Sequence, residues 1–276
     1  MRIIASLMLA ACVLLSCTSP GGGHDLNDSW QEIADGVTYT VRGGAREAVR
    51  YHLVRIDLLQ ENLVLRAYPD STTPVSLKDG ESVFKGKKTR AFAKAAGCVV
   101  AINTGVYVRR AFGKRALRGT HVFEGAEYGF PVRRFAALRL SRTAEGYRAD
   151  IMPEQKAYAD GSDAQCAVFG GFFCILEDTV PADFAYHGKD ARCAVGVADG
   201  GSVLYVLSVE KGAGSAGLSY PQCARILAQA GCDSAMEFDG GSSAALYLRR
   251  RDGKEIYVGH PLVFPASSIG FSLTNE

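Results

Sequence analysis

Short apolar runs separated by turn residues dominate the chain from Ile33 onward. "VRYHLVRIDLL" alternates apolar and polar positions, and "LVLRAY" follows after Gln60-Glu61-Asn62, which predicts a β-hairpin. "FAALRL" and "YRADI" flank Glu145-Gly146, and "CAVGVADGGSVLYVLSVE" turns at Asp199-Gly200-Gly201, so two more hairpins are predicted. "ALYLRRRDGKEIYV" predicts another, turning at Asp252-Gly253. The pattern is that of a strand-rich protein.

Two segments depart from this pattern and predict helices. "TRAFAKAAG" is rich in alanine and ends on Gly97, a residue typical of helix ends. In "LSYPQCARILAQAGC", Ser219 and Gln222 form a capping box, and Gly231 closes the helix. Strands and helices do not alternate regularly. The sequence therefore predicts an α+β fold with strand-rich mixed sheets, a few helices and a single domain that carries a surface cavity.

The first residues have the layout of a secretory signal. "MRIIASLMLAACVLLSC" has one early arginine, an apolar stretch too short to span a bilayer, and small residues before Cys17. We interpret residues 1–16 as a lipoprotein signal peptide, Cys17 as the lipid attachment site, 17–32 as a flexible tether and 33–276 as the folded domain. Cleavage before Cys12, or a plain cleaved signal, remains open. The expected protein is an exported bacterial lipoprotein anchored to a membrane, in the periplasm or at the cell surface.

Composition and charge exclude several partners. Of 276 residues, 47% are hydrophobic and 22% charged, and the formal net charge is +2. These values are ordinary for a globular protein, and no basic run is long enough to predict nucleic-acid binding or an anionic membrane surface. We expect a monomer without nucleic acid.

Six cysteines follow Cys17, and most lie inside apolar runs such as "GCVVAIN" and "RCAVGV". An exported protein with an even count could form disulfides, but these surroundings favour buried free thiols. No Cys-x-x-Cys pair and no metal-ligand spacing appears, so we expect neither a metal nor another cofactor.

The stretch "AMEFDGGSSAALYL" interrupts two strand-like runs with an acid, two glycines and two serines. In a strand, Glu237 and Asp239 point to the same face, about 6.6–6.8 Å apart at Cα, while Phe238 points to the other. Gly240 and Gly241 then allow a turn with open amides. Together with the hydroxyls of Ser242 and Ser243, such amides can bind an anion or a sugar. Taken alone, Asp-Gly-Gly is as often a simple turn, as we expect at Asp199.

Several motifs in order resemble the phosphodiester glycosidase family. They are "AINTGVY" at residues 101–107, "VFGGFFCILEDT" from Val168, "RCAVG" at 192–196, "SAGLSYPQCARILAQAG" at 215–231 and "EFDGGSSA" at 237–244. Their order and rough spacing hold from about residue 36 to 272. This sequence departs from the family pattern at four positions. Thr104 and Ser242 stand where the family has glycine, Val106 where it has an aromatic residue, and Glu237 where it has asparagine. A shifted substrate or weak activity could follow.

The resemblance implies hydrolysis of the bond between a sugar anomeric carbon and a phosphate esterified at its other end. Such a phosphate leaves readily, so the main demand is electrostatic. Arg192 is then the candidate for binding the phosphate, and Asp239, assisted or replaced by Glu237, for stabilising the cation or activating water. Asn103 would hydrogen-bond sugar hydroxyls. The substrate-binding set is completed by Gly105, Gly170, Gly171, Gly240, Gly241, Ser242 and Ser243, with the glycines as cavity wall.

Two other functions remain open. Residues 240–244 have the small-x-Ser-x-small shape of a nucleophile elbow, with Asp252 and His260 in the order of a serine hydrolase. An elbow needs a helix after the serine, however, and the sequence predicts a hairpin there. Alternatively, the protein is a surface lipoprotein that binds glycans without cleaving them.

Overall fold

A computed structural model describes residues 30–43, 48–156, 165–212 and 214–274. The predicted signal peptide, Cys17 and most of the predicted tether lie outside these residues. Two α-helices are present, α1 (Thr89–Ala95) and α2 (Tyr220–Gln229). The strands, in chain order, are β1 (Gln31–Ala34), β2 (Val37–Arg42), β3 (Tyr51–Asp57), β4 (Leu63–Tyr68), β5 (Ser76–Lys78), β6 (Glu81–Lys85), β7 (Val100–Asn103), β8 (Val106–Arg109), β9 (Lys114–Arg118), β10 (His121–Phe123), β11 (Ala126–Tyr128), β12 (Ala137–Thr143), β13 (Gly146–Met152), β14 (Cys166–Gly170), β15 (Cys174–Glu177), β16 (Val180–Pro181), β17 (Arg192–Ala198), β18 (Val203–Val209), β19 (Lys211–Gly212), β20 (Ser215–Ala216), β21 (Ser234–Glu237), β22 (Ala245–Arg249), β23 (Glu255–Gly259) and β24 (Ser268–Leu273).

The strands form one large sheet and several smaller ones. The eight-stranded sheet has the order β1-β2-β3-β18-β17-β21-β15-β16, and two five-stranded sheets have the orders β23-β22-β7-β24-β4 and β11-β10-β14-β12-β13. A four-stranded sheet, β5-β6-β9-β8, and the pair β19-β20 complete the described part of the chain. The predicted strand-rich α+β class and single domain are confirmed. Within the described residues every strand pairing is antiparallel, where the sequence predicted mixed sheets.

The main core lies between the eight-stranded sheet and the two five-stranded sheets. A second cluster fills the space between the outer face of the large sheet and α2, where Cys223, Ala224 and Leu227 are buried. The third cluster joins α1 to the four-stranded sheet. Every buried apolar side chain of the described residues falls between Ile33 and Leu273, so a chain that starts at Trp30 retains the whole core.

Most of the predicted elements are present. Hairpins join β12 to β13, β17 to β18, and β22 to β23, and α2 has the predicted capping box of Ser219 and Gln222. The predicted hairpin from Val49 to Tyr68 is wrong: β3 pairs with β2 and β18 in the large sheet, whereas β4 pairs with β24 in another. Strand β1 begins at Gln31, two residues before the predicted start of the domain.

The described cysteines are free, as the apolar surroundings predicted. One is half-buried, Cys174, and the others are buried, namely Cys98, Cys166, Cys193, Cys223 and Cys232. Burial raises the pKa of the Cys98 thiol to about 12. Within the same residues, neither helix is long and apolar enough to cross a membrane.

Candidate active site

The turn at residues 239–244 carries the chain across the core, from the end of β21 in the large sheet to the start of β22 in a five-stranded sheet. A short 3₁₀ turn, Gly241–Ser243, forms its centre. Gly241 has φ of +56°, a conformation that suits glycine, and a Cβ on Gly240 would lie 2.8 Å from the carbonyl oxygen of Ala191. The twin glycines therefore permit a sharp crossing close to strand β17.

Asn103, the last residue of β7, holds this turn from inside the protein. Its Nδ2 donates to the carbonyl of Asp239 at 2.7 Å, and its Oδ1 accepts from the amide of Ala245 at 2.8 Å. The amide of Asp239 donates to the carbonyl of Thr104 at 2.8 Å. Asn103 has no exposed surface. In place of the predicted contact with sugar hydroxyls, it positions the turn that carries Asp239.

Replacing Asn103 should therefore weaken the fold. We expect Asn103→Ala to lower the free energy of unfolding by about 2–4 kcal/mol, because two buried backbone groups lose their partners. Urea denaturation measures this loss. Asn62→Ala, at a half-buried position beside β4, is the matched control and should change stability by less than about 1 kcal/mol. Equal effects of the two substitutions would contradict the role assigned to Asn103.

Arg192 lies beside the turn, at the start of β17. In the ladder between β17 and β21, Ala194 pairs with Glu237. On either side of Arg192, the amide of Phe238 donates to the Cys193 carbonyl and the amide of Gly241 donates to the Ala191 carbonyl. This register places Arg192 on the same face of the sheet as Glu237, and a Cβ on Gly240 of the turn would lie 3.8 Å from the Cα of Arg192. Arg192 and Glu237 are thus brought to one face, and Asp239 follows in the turn beside them.

The Arg192 guanidinium is 5% exposed and held in a fixed position. Its Nε donates to the carbonyl of Leu218 at 2.9 Å and its Nη2 to the carbonyl of Gly188 at 2.7 Å. The guanidinium carbon lies 4.1 Å from the centre of the Tyr220 ring. These contacts occupy one edge and one face of the group. Nη1 takes part in neither of these two hydrogen bonds.

Tyr220 is a site residue that the sequence analysis missed. It is the first residue of α2, directly after the predicted N-cap Ser219. Its ring also contacts Phe173 and Phe184, at centroid distances of 5.9 and 5.3 Å. The position was visible as a helix start, but its contact with Arg192 joins a helix to a strand and has no local signal.

Glu237 lies between the large sheet and α2, with no exposed surface. Neither carboxylate oxygen has a hydrogen-bond partner among the described residues. Burial raises the pKa of Glu237 to about 8, although the Arg192 charge and the Cys223 thiol act in the opposite direction. Because the carboxyl is enclosed, direct acid or base contact with substrate, which the sequence predicted, does not fit this geometry. A neutral Glu237 instead leaves the positive charge of Arg192 uncompensated.

The raised pKa has a consequence for stability. Between about pH 4.5 and 8 the unfolded chain loses the Glu237 proton while the folded chain keeps it, so stability falls as pH rises through this window. Glu237→Gln lacks this titration. We therefore expect the variant to gain stability relative to the native chain from about pH 5 to 8, by at most about 1.4 kcal/mol per pH unit. Urea denaturation at both pH values checks this, with the exposed Glu145→Gln as the control that should show no trend.

Asp239 is half-buried at the turn itself. Burial raises the pKa of its carboxyl to about 6, and a hydrogen bond with Ser243 acts in the opposite direction. The Ser243 hydroxyl also donates to the Tyr107 hydroxyl at 3.4 Å. Near neutral pH, Asp239 is therefore mostly ionised and Glu237 mostly protonated, so the two carboxyls differ in charge.

The other predicted substrate-binding glycines pack against protein. A Cβ on Gly170 would lie 2.6 Å from Nε2 of Gln155, and one on Gly171 would lie 2.4 Å from the carbonyl oxygen of Glu237. A Cβ on Gly105 would lie 3.0 Å from Leu117. All three glycines are buried. They allow strands to approach the turn closely, and their place in the wall of a substrate cavity stays a prediction.

A cavity of about 540 Å³ lies on the other side of the turn. Gly241 and Ser242 contribute to its wall, together with charged residues from neighbouring strands and loops, Asp190, Glu210, Lys211 and His260. The lining does not include Arg192, Glu237, Asp239 or Asn103. The turn therefore presents its exposed Ser242, and not Asp239, to this cavity. Glu210 is held there by His52, whose Nε2 lies 2.6 Å from its carboxylate.

The serine hydrolase alternative does not fit this arrangement. Strand β22, and not a helix, follows Ser243. Asp252 and His260 flank opposite ends of β23, and Asp252 accepts a hydrogen bond from the amide of Lys254. Within the described residues, no group of three His, Cys, Asp or Glu side chains could hold a metal ion.

One of the four residues that depart from the family pattern, Thr104, is buried in the core. Thr104 is 1% exposed, and its hydroxyl donates to Oγ of Ser267 at 2.8 Å. Its side chain therefore replaces a glycine without entering the site. Ser242, in contrast, is exposed on the turn.

Comparison with known proteins agrees with the motifs. The sequence profile of the phosphodiester glycosidase family matches residues 96–268, which span α2, β17 and the Asp-Gly-Gly turn. The chain belongs to the phosphodiester glycosidase family. No curated protein sequence matches it.

Three solved structures share the fold at low sequence identity. The catalytic domain of zebrafish N-acetylglucosamine-1-phosphodiester alpha-N-acetylglucosaminidase, auto-inhibited by its pro-peptide, is 15% identical with a TM-score of 0.59, over 86% of this chain and 82% of that one. A hypothetical protein from Synechocystis is 14% identical, with a TM-score of 0.57. The match covers 87% of this chain and 62% of the Synechocystis chain, so this chain spans less than two thirds of that protein's length. A protein from Burkholderia pseudomallei classed as exported is 14% identical with a TM-score of 0.54, over 81% and 74%.

Proposed function

We propose that the protein hydrolyses a sugar-1-phosphodiester, breaking the bond between the anomeric carbon and the phosphate oxygen. Family membership supports this activity. The observation that carries the proposal is Asp239, with a pKa of about 6, on the family's Asp-Gly-Gly turn, which packs against the start of β17 where Arg192 lies. The substrate class is a glycan or glycoconjugate in which the phosphate is esterified on both sides.

The proposed role of each site residue follows from its charge. Arg192 offers the N–H groups of Nη1 to the phosphate and stabilises the charge that collects there as the glycosidic bond breaks. Asp239, ionised near neutral pH, stabilises the oxocarbenium-like transition state or accepts a proton from the attacking water. Glu237 stays protonated in its enclosed position and so leaves the Arg192 charge to the substrate.

The place of action is part of the same proposal. An apolar segment ahead of Cys17 supports export, with a diacylglycerol thioether at that cysteine as the membrane anchor. The protein would then work as an exported monomer at a membrane, on substrates in the periplasm or at the cell surface.

Turnover of model substrates tests the proposed activity. Residues 30–276 are incubated with a panel of sugar-1-phosphodiesters, and released reducing sugar is measured. Release from at least one of them, with phosphate monoester as the second product, is the expected result. Binding of the same compounds without release would favour the non-catalytic glycan-binding protein, to which the exposed Ser242 in place of glycine also points.

A further inference from the structure

Three loops meet at one end of the four-stranded sheet. The first is residues 85–88, from the last residue of β6 onward. The second is residues 109–115, from the end of β8 to the start of β9, and the third is residues 262–264 before β24. The amide of Gly86 donates to the Gly113 carbonyl at 3.2 Å, and Nε of Arg115 donates to the Phe264 carbonyl at 3.1 Å. The ammonium of Lys88 lies 5.0 Å from the centre of the Phe264 ring. These contacts join the three loops, here called the basic tip, at one end of the sheet.

The charge of the basic tip differs sharply from that of the whole protein. The net charge of the chain is +2, yet the basic tip contains no acidic residue and seven basic ones, Lys85, Lys87, Lys88, Arg109, Arg110, Lys114 and Arg115. Arg110 pairs with Glu81 and Arg115 is largely buried, while the other five are at least partly exposed. The sequence has no long basic run because folding brings these residues together from two separate segments.

The same surface exposes large apolar side chains. Phe112 is 95% exposed, Leu262 78% and Phe264 40%. Phe112 also has φ of +56° and ψ of 37°, a left-handed conformation that an aromatic residue rarely adopts. The backbone therefore presents this ring to solvent at the end of a hairpin, where no described residue covers it. An exposed aromatic at an outward turn has no evident role in folding.

We infer that the basic tip docks the protein on the surface of an anionic lipid bilayer. Phe112 and Leu262 enter the interface between head groups and acyl chains, while the lysines and arginines around them contact anionic head groups. Cationic side chains next to exposed aromatic and aliphatic ones are the combination that binds such surfaces, since each contribution alone is weak. The inference goes beyond the proposed hydrolysis and holds independently of it.

The apolar side chains favour a bilayer over a soluble polyanion. Nucleic acid or a phosphate-rich polymer would be bound by the basic residues alone, and binding would then depend on salt without a contribution from Leu262. A bilayer uses both kinds of side chain. Substitution of the apolar side chains therefore distinguishes a bilayer from a soluble polyanion.

Co-sedimentation with vesicles tests the inference on residues 30–276. The vesicles are phosphatidylcholine alone, or phosphatidylcholine with about one third phosphatidylglycerol. We expect binding to the anionic vesicles only, weakened about tenfold or more in Phe112→Ser/Leu262→Ser and likewise in Lys87→Glu/Lys88→Glu. The matched controls are Val180→Ser, at a position 65% exposed on β16, and the charge reversal Arg139→Glu/Arg148→Glu on β12 and β13. Both should bind within about twofold of the native chain.

Three results would overturn the inference. One is equal binding to both kinds of vesicle. Another is equal weakening by the tip variants and their controls. The third is full binding by Phe112→Ser/Leu262→Ser when Lys87→Glu/Lys88→Glu has lost it, which would identify the surface as a site for soluble polyanions. Hydrolysis of a soluble substrate should be unchanged in every tip variant, so the outcome leaves the proposed activity untouched.

Discussion

Asp239→Asn should lose about a thousandfold in kcat on a sugar-1-phosphodiester, with little change in KM, because a positioned acid or base typically contributes about 10²–10⁴ in rate. The amide keeps the shape of the side chain but cannot carry the negative charge that the transition state requires. Steady-state release of reducing sugar measures the loss. Stability should be retained, since the turn is held through the Asp239 backbone by Asn103 and Thr104.

The chain contains a matched control for this substitution. Asp199-Gly200-Gly201 is a second Asp-Gly-Gly turn, where β17 turns into β18 at the end of β17 opposite Arg192; Asp199 and Gly200 are exposed. Asp199 has φ of +52°, which asparagine also tolerates. Asp199→Asn should therefore be as stable and as active as the native chain. Comparable activity of the two variants would remove Asp239 from the chemistry.

Arg192→Lys should lower kcat/KM by about a hundredfold, although it keeps the positive charge. Lysine cannot reproduce a guanidinium that donates to two carbonyls, stacks on Tyr220 and still offers Nη1 to a phosphate. A charge-assisted hydrogen bond is worth about 1.5–3 kcal/mol, and about 1.4 kcal/mol corresponds to a factor of ten. Kinetics with a sugar-1-phosphodiester measure the effect.

The control for the arginine is Arg139→Lys, on the exposed face of β12 beside Asp150, which should leave kcat/KM unchanged. Thermal denaturation of Arg192→Lys separates a lost phosphate contact from a lost fold. A fully folded Arg192→Lys variant with native kcat/KM would show that the fork geometry of the guanidinium is not needed.

Local patterns were enough to predict elements whose partners are adjacent in the chain. The capping box of Ser219 and the turn at Asp252-Gly253 are such signals, and both are present in the structure. The false hairpin between β3 and β4 shows the limit. Each strand has the right pattern, but β3 pairs with the preceding β2 and the distant β18, whereas β4 pairs with the distant β24. Alternation alone does not choose between these partners.

The candidate site, too, could be predicted from the sequence only in part. The Asp-Gly-Gly turn and Arg192 stand out in the sequence because of unusual residues inside strands. The role of Asn103 could not be predicted, because its amide bridges two backbone groups contributed by residues more than a hundred positions away. The basic tip was invisible for a similar reason, since its charges become a cluster only when β6, β8 and β9 pair.

The position of bond cleavage tests the central claim most directly. The reaction is run with a sugar-1-phosphodiester in water enriched in the heavy oxygen isotope, and both products are analysed by mass spectrometry. We predict that the phosphate monoester carries no label, because the bond from the anomeric carbon breaks, and that Asp239→Asn forms both products about a thousandfold more slowly. Label in the phosphate product would mean attack at phosphorus and would contradict the account.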